Sequence, residues 1–107
     1  MIWYDDLYFG GRHIKRRYKK IKRKIIRGVP HEPVYVIALP SAGSGLLEII
    51  PSTQLLQEAY PRDDMRIVGM ASDRVSASHL VCRMIDEIYQ NRGDFDFEKY
   101  LGLEPEG

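Results

Sequence analysis

The run VYVIAL at residues 34–39 is almost unbroken in apolar residues and rich in β-branched ones, which predicts a buried strand. The loop SAGSG follows at residues 41–45, and a second apolar run, LLEII, occupies residues 46–50. A hairpin would place the glycines in its turn and make LLEII a second strand. The alternative is a strand–loop–helix unit, with a helix that opens near Ser44. We favour the hairpin, because the stretch between the loop and Pro51 is too short for a stable helix.

The chain after this hairpin alternates between helical and strand patterns. Ser52 or Thr53 can cap a helix that runs to about Tyr60. The apolar run MRIVGM at residues 65–70 predicts a third strand, in which Gly69 permits a bulge or a close backbone approach. The region therefore adds one helix and one strand to the hairpin.

The longest helix of the body is predicted next. Ser72 or Asp73 can cap its start, and Gly93 is placed to end it. Its apolar face is expected to comprise Val75, Ala77, Val81, Met84, Ile85 and Ile88.

These elements predict an α+β protein, specifically an α/β sandwich with a small three-stranded sheet. Its β-β-α-β-α body spans residues 34–107, and a basic N-terminal helix precedes it. Residues 1–28 are expected to hold an aromatic segment and this helical arm. A three-stranded sheet leaves two free edges, so a homodimer or the addition of a partner strand is a candidate assembly.

The formal net charge of +1 conceals a lopsided distribution of charge along the 107 residues. One segment carries ten basic residues and no acidic one, and the rest of the chain has six basic and fifteen acidic residues, a net charge of −9. Such asymmetry indicates a basic arm directed at an anionic partner. The ten basic residues are Arg12, Lys15, Arg16, Arg17, Lys19, Lys20, Lys22, Arg23, Lys24 and Arg27.

The basic segment has the periodicity of a helix. Ile14, Tyr18, Ile21 and Ile25 lie at i, i+4, i+7 and i+11, which forms one narrow apolar stripe, and Gly28 follows where the helix should end. Like charges three and four residues apart repel one another by a few tenths of a kcal/mol per pair. An anionic surface would therefore stabilise this helix.

These observations predict a non-enzymatic, nucleic-acid-associated module that grips phosphate backbones, of DNA or RNA, without reading their sequence. The ten basic residues are its expected binding residues. The alternative is a small protein-interaction module, for instance an inhibitor, that acts on a larger nucleic-acid-binding complex. A third possibility is that the arm is neutralised by acidic residues of its own chain, such as those after residue 93.

Other candidate sites have simpler interpretations. The loop at residues 41–45 lacks the Walker A and dinucleotide-binding patterns, and Ser44 lacks the spacing of a nucleophile elbow. The acid pairs are expected to be solvated. The histidines have no metal-ligand spacing, and one cysteine excludes an intramolecular disulfide. We therefore expect no enzymatic activity and no metal or cofactor site. The acid pairs, histidines and cysteine concerned are Asp5-Asp6, Asp63-Asp64, Asp86-Glu87, His13, His31, His79 and Cys82.

The N-terminal segment is aromatic and acidic. Trp3, Tyr4, Tyr8 and Phe9 surround Asp5-Asp6, and so many aromatic side chains are expected to dock, most simply on the core of the protein itself. The N-terminal segment contains Asp5-Asp6, whereas a signal peptide begins with basic residues. No apolar run reaches the ~20 residues that a membrane-spanning helix needs. The sequence therefore predicts a cytoplasmic protein.

Three stretches, WYDDLY at residues 3–8, VYVIAL at residues 34–39 and LLEIIPSTQLL at residues 46–56, resemble a group of short bacterial proteins without an assigned function. The resemblance covers most of the chain. It implies a small bacterial cytoplasmic α/β protein, and its motifs carry no known chemistry, so it transfers no site.

Overall fold

A computed structural model of the chain describes residues 2–39, 47–56 and 65–93. Within these ranges the fold is a mixed α/β arrangement of one four-stranded sheet and two α-helices. The elements in chain order are β1 (Ile2–Gly10), α1 (Ile14–Arg27), β2 (Tyr35–Leu39), β3 (Glu48–Pro51), a 3₁₀ helix (Ser52–Leu56), β4 (Arg66–Ala71) and α2 (Arg74–Arg92).

The strand order in the sheet is β1-β4-β2-β3. Strand β1 pairs with β4 in parallel, whereas β2 pairs antiparallel with both β3 and β4. The antiparallel register of Tyr35 with Pro51 and of Ala38 with Glu48 confirms the predicted pairing of the two apolar runs. The predicted turn, at residues 41–45, lies outside the described residues.

The prediction of three strands was wrong, because the aromatic N-terminal segment is itself an edge strand. Asp5 and Asp6 interrupt its apolar pattern, and both are exposed. The pairing of β1 with β4 is irregular at this point, since the register shifts between Trp3 and Tyr8. A bulge of this kind breaks the alternation by which a strand is identified in a sequence. Charged residues at an irregular edge also discourage pairing with another chain.

The helices pack on opposite faces of the sheet. Ile14, Ile21 and Ile25 of α1 join a core cluster with Val36 and Ala38 of β2. We call this the α1-side core. Adjacent strand residues point to opposite faces, and Ile37 and Leu39 of β2 accordingly belong to a second cluster, the α2-side core. The central strands are therefore buried on both faces, which explains their continuous apolar sequence.

The second helix differs in detail from its prediction. Leu80 belongs to its buried face with Ala77, Met84 and Ile88, whereas Val75 and Ile85 are exposed. The helix ends at Gly93 in the left-handed conformation, as predicted. The region after Ser52 also differs, because its described part is a 3₁₀ helix that ends at Leu56, and the remainder of the predicted helix lies outside the described residues.

Asp73 caps α2 and is the source of a testable pH dependence. The backbone N–H of Ser76, together with the hydroxyls of Ser72 and Ser76, lowers the pKa of the Asp73 carboxyl below its ordinary value. A lowered folded-state pKa adds stability above the unfolded-state value of about 4, and this stability is lost as the pH falls through the folded-state pKa. We expect Asp73→Asn, which still caps but does not titrate, to lose less stability than the wild type in acid, as measured by urea unfolding at several pH values. Identical pH profiles would contradict this assignment.

Candidate nucleic-acid interface

The apolar stripe of α1 determines which of its faces is open. Ile14, Ile21 and Ile25 are buried in the α1-side core, and Tyr18 is half-buried against Phe9 of β1, with ring centroids 4.8 Å apart. The helix therefore lies with its predicted stripe against the sheet. Every basic position of α1 lies on the flanks or on the outward side of this stripe.

The basic residues of the predicted site fall into two groups by exposure. Three of them, Arg17, Lys22 and Lys24, are half-buried along the flanks of the helix. The other seven are exposed, and they are Arg12, Lys15, Arg16, Lys19, Lys20, Arg23 and Arg27. The folded protein thus presents most of the predicted binding residues to solvent on one side of the sheet.

Few of these cations have an acidic partner in the described part of the chain. Arg17 forms an ion pair with Glu32 of the segment that links α1 to β2, and no second salt bridge is present among residues 2–39, 47–56 and 65–93. Lys22 lies over the Trp3 ring, with its Nζ 5.3 Å from the ring centroid. Both partnered cations belong to the half-buried flanks. The acidic residues after position 93, the alternative partners within the chain, lie outside the described residues.

The outward side of α1 carries a continuous line of charge. Arg16, Lys20, Arg23 and Arg27 repeat the spacing of the apolar stripe two positions later along the sequence. Because each residue turns an α-helix by about 100°, these four side chains lie about 200° from the stripe. We call them the cationic ridge. With a rise of about 1.5 Å per residue, the ridge extends over roughly 16 Å.

The start of α1 is electrostatically unfavourable without an anion nearby. His13 precedes the helix in a left-handed conformation, with φ 62°, and its side chain makes no capping hydrogen bond. The first turn contains no acidic residue, although the positive end of the helix dipole favours one there. By contrast, Lys24 and Arg27 in the last turn match the negative end. The N-terminal half of the helix therefore has an excess of positive potential.

A histidine and a serine hold the linker between α1 and β2 in place. Nδ1 of His31 lies 3.2 Å from the Val29 carbonyl oxygen, and Nε2 lies 2.8 Å from Oγ of the fully buried Ser52. Since a carbonyl only accepts, Nδ1 donates to Val29, and Nε2 shares a hydrogen bond with the Ser52 hydroxyl. The same Oγ accepts the N–H of Val34 at 3.0 Å. Because Ser52 is fully buried, these hydrogen bonds hold the linker in place and do not form a site that a substrate could reach.

Among the remaining candidate residues, those that the structure describes do not form a common site. The loop at residues 41–45 with Ser44, and the pair Asp63-Asp64, lie outside the described residues. Of the other acid pairs, Asp5 and Asp6 are exposed on β1, and Glu87 accepts a hydrogen bond from the Tyr8 hydroxyl. No group of three or more metal-ligating side chains occurs in the described ranges, which contain all three histidines and the exposed Cys82.

Two features that support the interface could not be identified from the sequence. The contact of Lys22 with Trp3, and the ion pair of Arg17 with Glu32, join α1 to segments that precede and follow it. Their spacing is irregular, so no periodic pattern indicates them. Only the aromatic content of the N-terminal segment suggested that it would pack on the protein.

Comparisons of this chain with protein-family models, with curated proteins and with solved structures find no match. Neither helix in the described part of the chain has the length and apolar character needed to cross a membrane. The assignment of the candidate interface therefore rests on the geometry and charge of α1 alone.

Proposed function

We propose that this protein is a non-enzymatic nucleic-acid-binding module that contacts phosphate backbones through α1. The observation that carries the proposal is the cationic ridge on the outward side of a helix whose opposite side is buried. Folding thus buries the apolar stripe of α1 and leaves most of its basic side chains exposed. It leaves Arg16, Lys20, Arg23 and Arg27 exposed together, and without acidic neighbours within the helix.

The dimensions of the ridge suit a polyanion. Double-stranded DNA carries one negative charge per about 1.7 Å of its axis, so a ridge of roughly 16 Å can face several phosphates at once. Contacts of this kind fix position and orientation but carry no sequence information. The same contacts are available on RNA. We therefore expect binding of either nucleic acid with little dependence on base sequence.

An anionic partner would also relieve a cost that the folded protein retains. Lys20 lies three residues before Arg23 and four residues after Arg16, and like charges at these spacings repel. Bound phosphates would neutralise these charges and stabilise the uncapped start of the helix. The electrostatics that make α1 unfavourable in isolation therefore favour the complex.

The proposal predicts a specific loss of salt dependence when the ridge is neutralised. Each phosphate contact contributes about 0.9 to the slope of log K against log salt concentration on duplex DNA. We expect Lys20→Gln/Arg23→Gln to reduce the slope by about 1.8 and to weaken binding at low salt by more than tenfold. Fluorescence anisotropy with random-sequence DNA and RNA duplexes at four salt concentrations measures both quantities.

The matched control removes the same charge from α2. Arg74 and Arg92 are exposed, and Arg74→Gln/Arg92→Gln is expected to leave the slope nearly unchanged. The ridge variant relieves repulsion within α1, so its thermal midpoint should not fall, and weaker binding cannot then be attributed to unfolding. A wild-type isotherm that is insensitive to salt, or equal losses in both variants, would overturn the proposal. The first result would favour the alternative function, an interaction with a protein of a nucleic-acid-binding complex, and the second would show that binding is not specific to the ridge.

A further inference from the structure

The two parallel strands create a crevice at one edge of the sheet. Strands β1 and β4 are neighbours, and their carboxyl ends lie at the same edge, where Gly10 pairs with Ala71. From this edge the chain leaves β1 toward α1 on one face, whereas it leaves β4 toward α2 on the other. In open α/β sheets, ligands bind outside the carboxyl ends of the strands at such a point of divergence.

A cavity of about 210 Å³ lies beside the carboxyl end of β1, between this strand and α2. It is smaller than the roughly 300–1,000 Å³ of sites for drug-sized ligands, so it suits a single compact group. The residues that line it come from the end of β1 and from one side of α2, and they are Gly10, Gly11, Ser76, His79, Leu80 and Arg83.

Glycine is required where the chain turns beside the cavity. Gly11 has a φ of +92°, and a β-carbon on it would lie 1.9 Å from Oγ of Ser72. Gly10 is less restricted, but a β-carbon there would make a tight contact, 3.0 Å from the Ser76 carbonyl oxygen. The two glycines therefore bring the backbone of the first strand against the start of α2, and they leave the cavity unobstructed by their own side chains.

The polar groups of the cavity are suited to an anion. Nη2 of Arg83 donates to the Phe9 carbonyl oxygen at 3.0 Å, which fixes the guanidinium at the end of β1 and leaves its other N–H groups available. His79 lies one helical turn earlier, and no acidic residue of the described chain lines the cavity. Asp73 already accepts the N–H of Ser76. A ligand would consequently be held by side chains rather than by the first amides of α2.

We propose that this cavity binds the phosphate group of a small molecule, with Arg83 and His79 as its binding residues. A guanidinium with several free N–H groups recognises phosphate oxygens by paired, charge-assisted hydrogen bonds. The site belongs to the α2 side of the sheet, whereas the cationic ridge belongs to the α1 side. It therefore represents a second binding activity, independent of the nucleic-acid interface.

Titration of the ¹⁵N-labelled full chain with inorganic phosphate tests the proposal, with sodium chloride at matched ionic strength as the reference. Saturable shifts are expected for the amides of Gly10, Gly11, Ser76 and His79, with a Kd on the order of 1 mM. Arg83→Gln should weaken this binding at least tenfold. Arg74→Gln, on the same helix but outside the cavity, should leave it unchanged.

The outcomes separate this site from the ridge. Lys20→Gln/Arg23→Gln should retain the phosphate-dependent shifts at the cavity even if it no longer binds nucleic acid. Equal affinity of Arg83→Gln and the wild type would overturn the proposed site. So would shifts that do not saturate, or shifts that are confined to α1, because those would report phosphate condensing on the cationic helix alone.

Discussion

Replacement of Ile25 by alanine is expected to lower the free energy of unfolding by about 2–5 kcal/mol. The side chain is 0% exposed and belongs to the α1-side core, where it holds the C-terminal half of α1 against the sheet. Truncation leaves a cavity among well-packed neighbours and removes apolar area from the core. Urea unfolding followed by circular dichroism measures the loss. Since small domains have total stabilities of about 5–15 kcal/mol, the variant should be visibly destabilised at 37 °C.

The adjacent residue provides a matched control for this prediction. Ile26 is 53% exposed, and Ile26→Ala should change the free energy of unfolding by no more than about 0.5 kcal/mol. The two variants delete the same atoms from the same turn of helix. If both were equally destabilising, or if their order were reversed, α1 would pack through a different face, and the cationic ridge would not be the surface described above.

Gly11→Ala is expected to cost roughly 2–5 kcal/mol, because two effects add at this position. A φ of +92° is strained for alanine, and the new β-carbon would collide with the side chain of Ser72. The chain turns here from β1 into α1, so relief of the collision must displace either element. Thermal and urea unfolding of the purified variant measure the cost.

Gly28→Ala serves as a control, because it introduces the backbone strain of a positive φ without the steric collision expected at Gly11. Gly28 also has a positive φ, of 69°, but a β-carbon there would meet no atom within 4 Å. We expect it to cost only about 1 kcal/mol, the usual penalty for alanine at a left-handed helix end. If Gly11→Ala were as mild as Gly28→Ala, the close approach of the chain at Gly11 to Ser72 would not exist in solution.

Elements with a regular pattern and clear end signals could be predicted from the sequence. The four-residue stripe from Ile14 to Ile25 located α1 and its buried side, and Gly28 and Gly93 marked where the two helices end. The hairpin followed from two apolar runs on either side of a glycine-containing loop. The ten basic residues of the candidate interface could also be named from the sequence, because a run of basic residues without an acidic one is visible without tertiary information.

Features that depend on distant partners could not be predicted in this way. Strand β1 is irregular at Asp5-Asp6, and its identity as a strand depends on pairing with β4, more than fifty residues away. Likewise, the sequence indicates Ser52 only as a helix cap, whereas the fold places its hydroxyl between His31 and Val34. The cavity beside Gly11 forms between the end of β1 and α2, which are more than sixty residues apart in the sequence, so no local pattern predicts it.

The parallel pairing of β1 with β4 affects the order in which the protein can form during its synthesis. Ile2 pairs with Arg66, so the ribosome must add some sixty further residues before the first strand finds its neighbour. At about 5–20 residues per second, this interval lasts on the order of 3–13 s. Until then the aromatic side chains of β1 and the cations of α1 emerge from the exit tunnel without the sheet that later organises them. Nascent chains should therefore acquire resistance to proteolysis late, only after β4 has emerged.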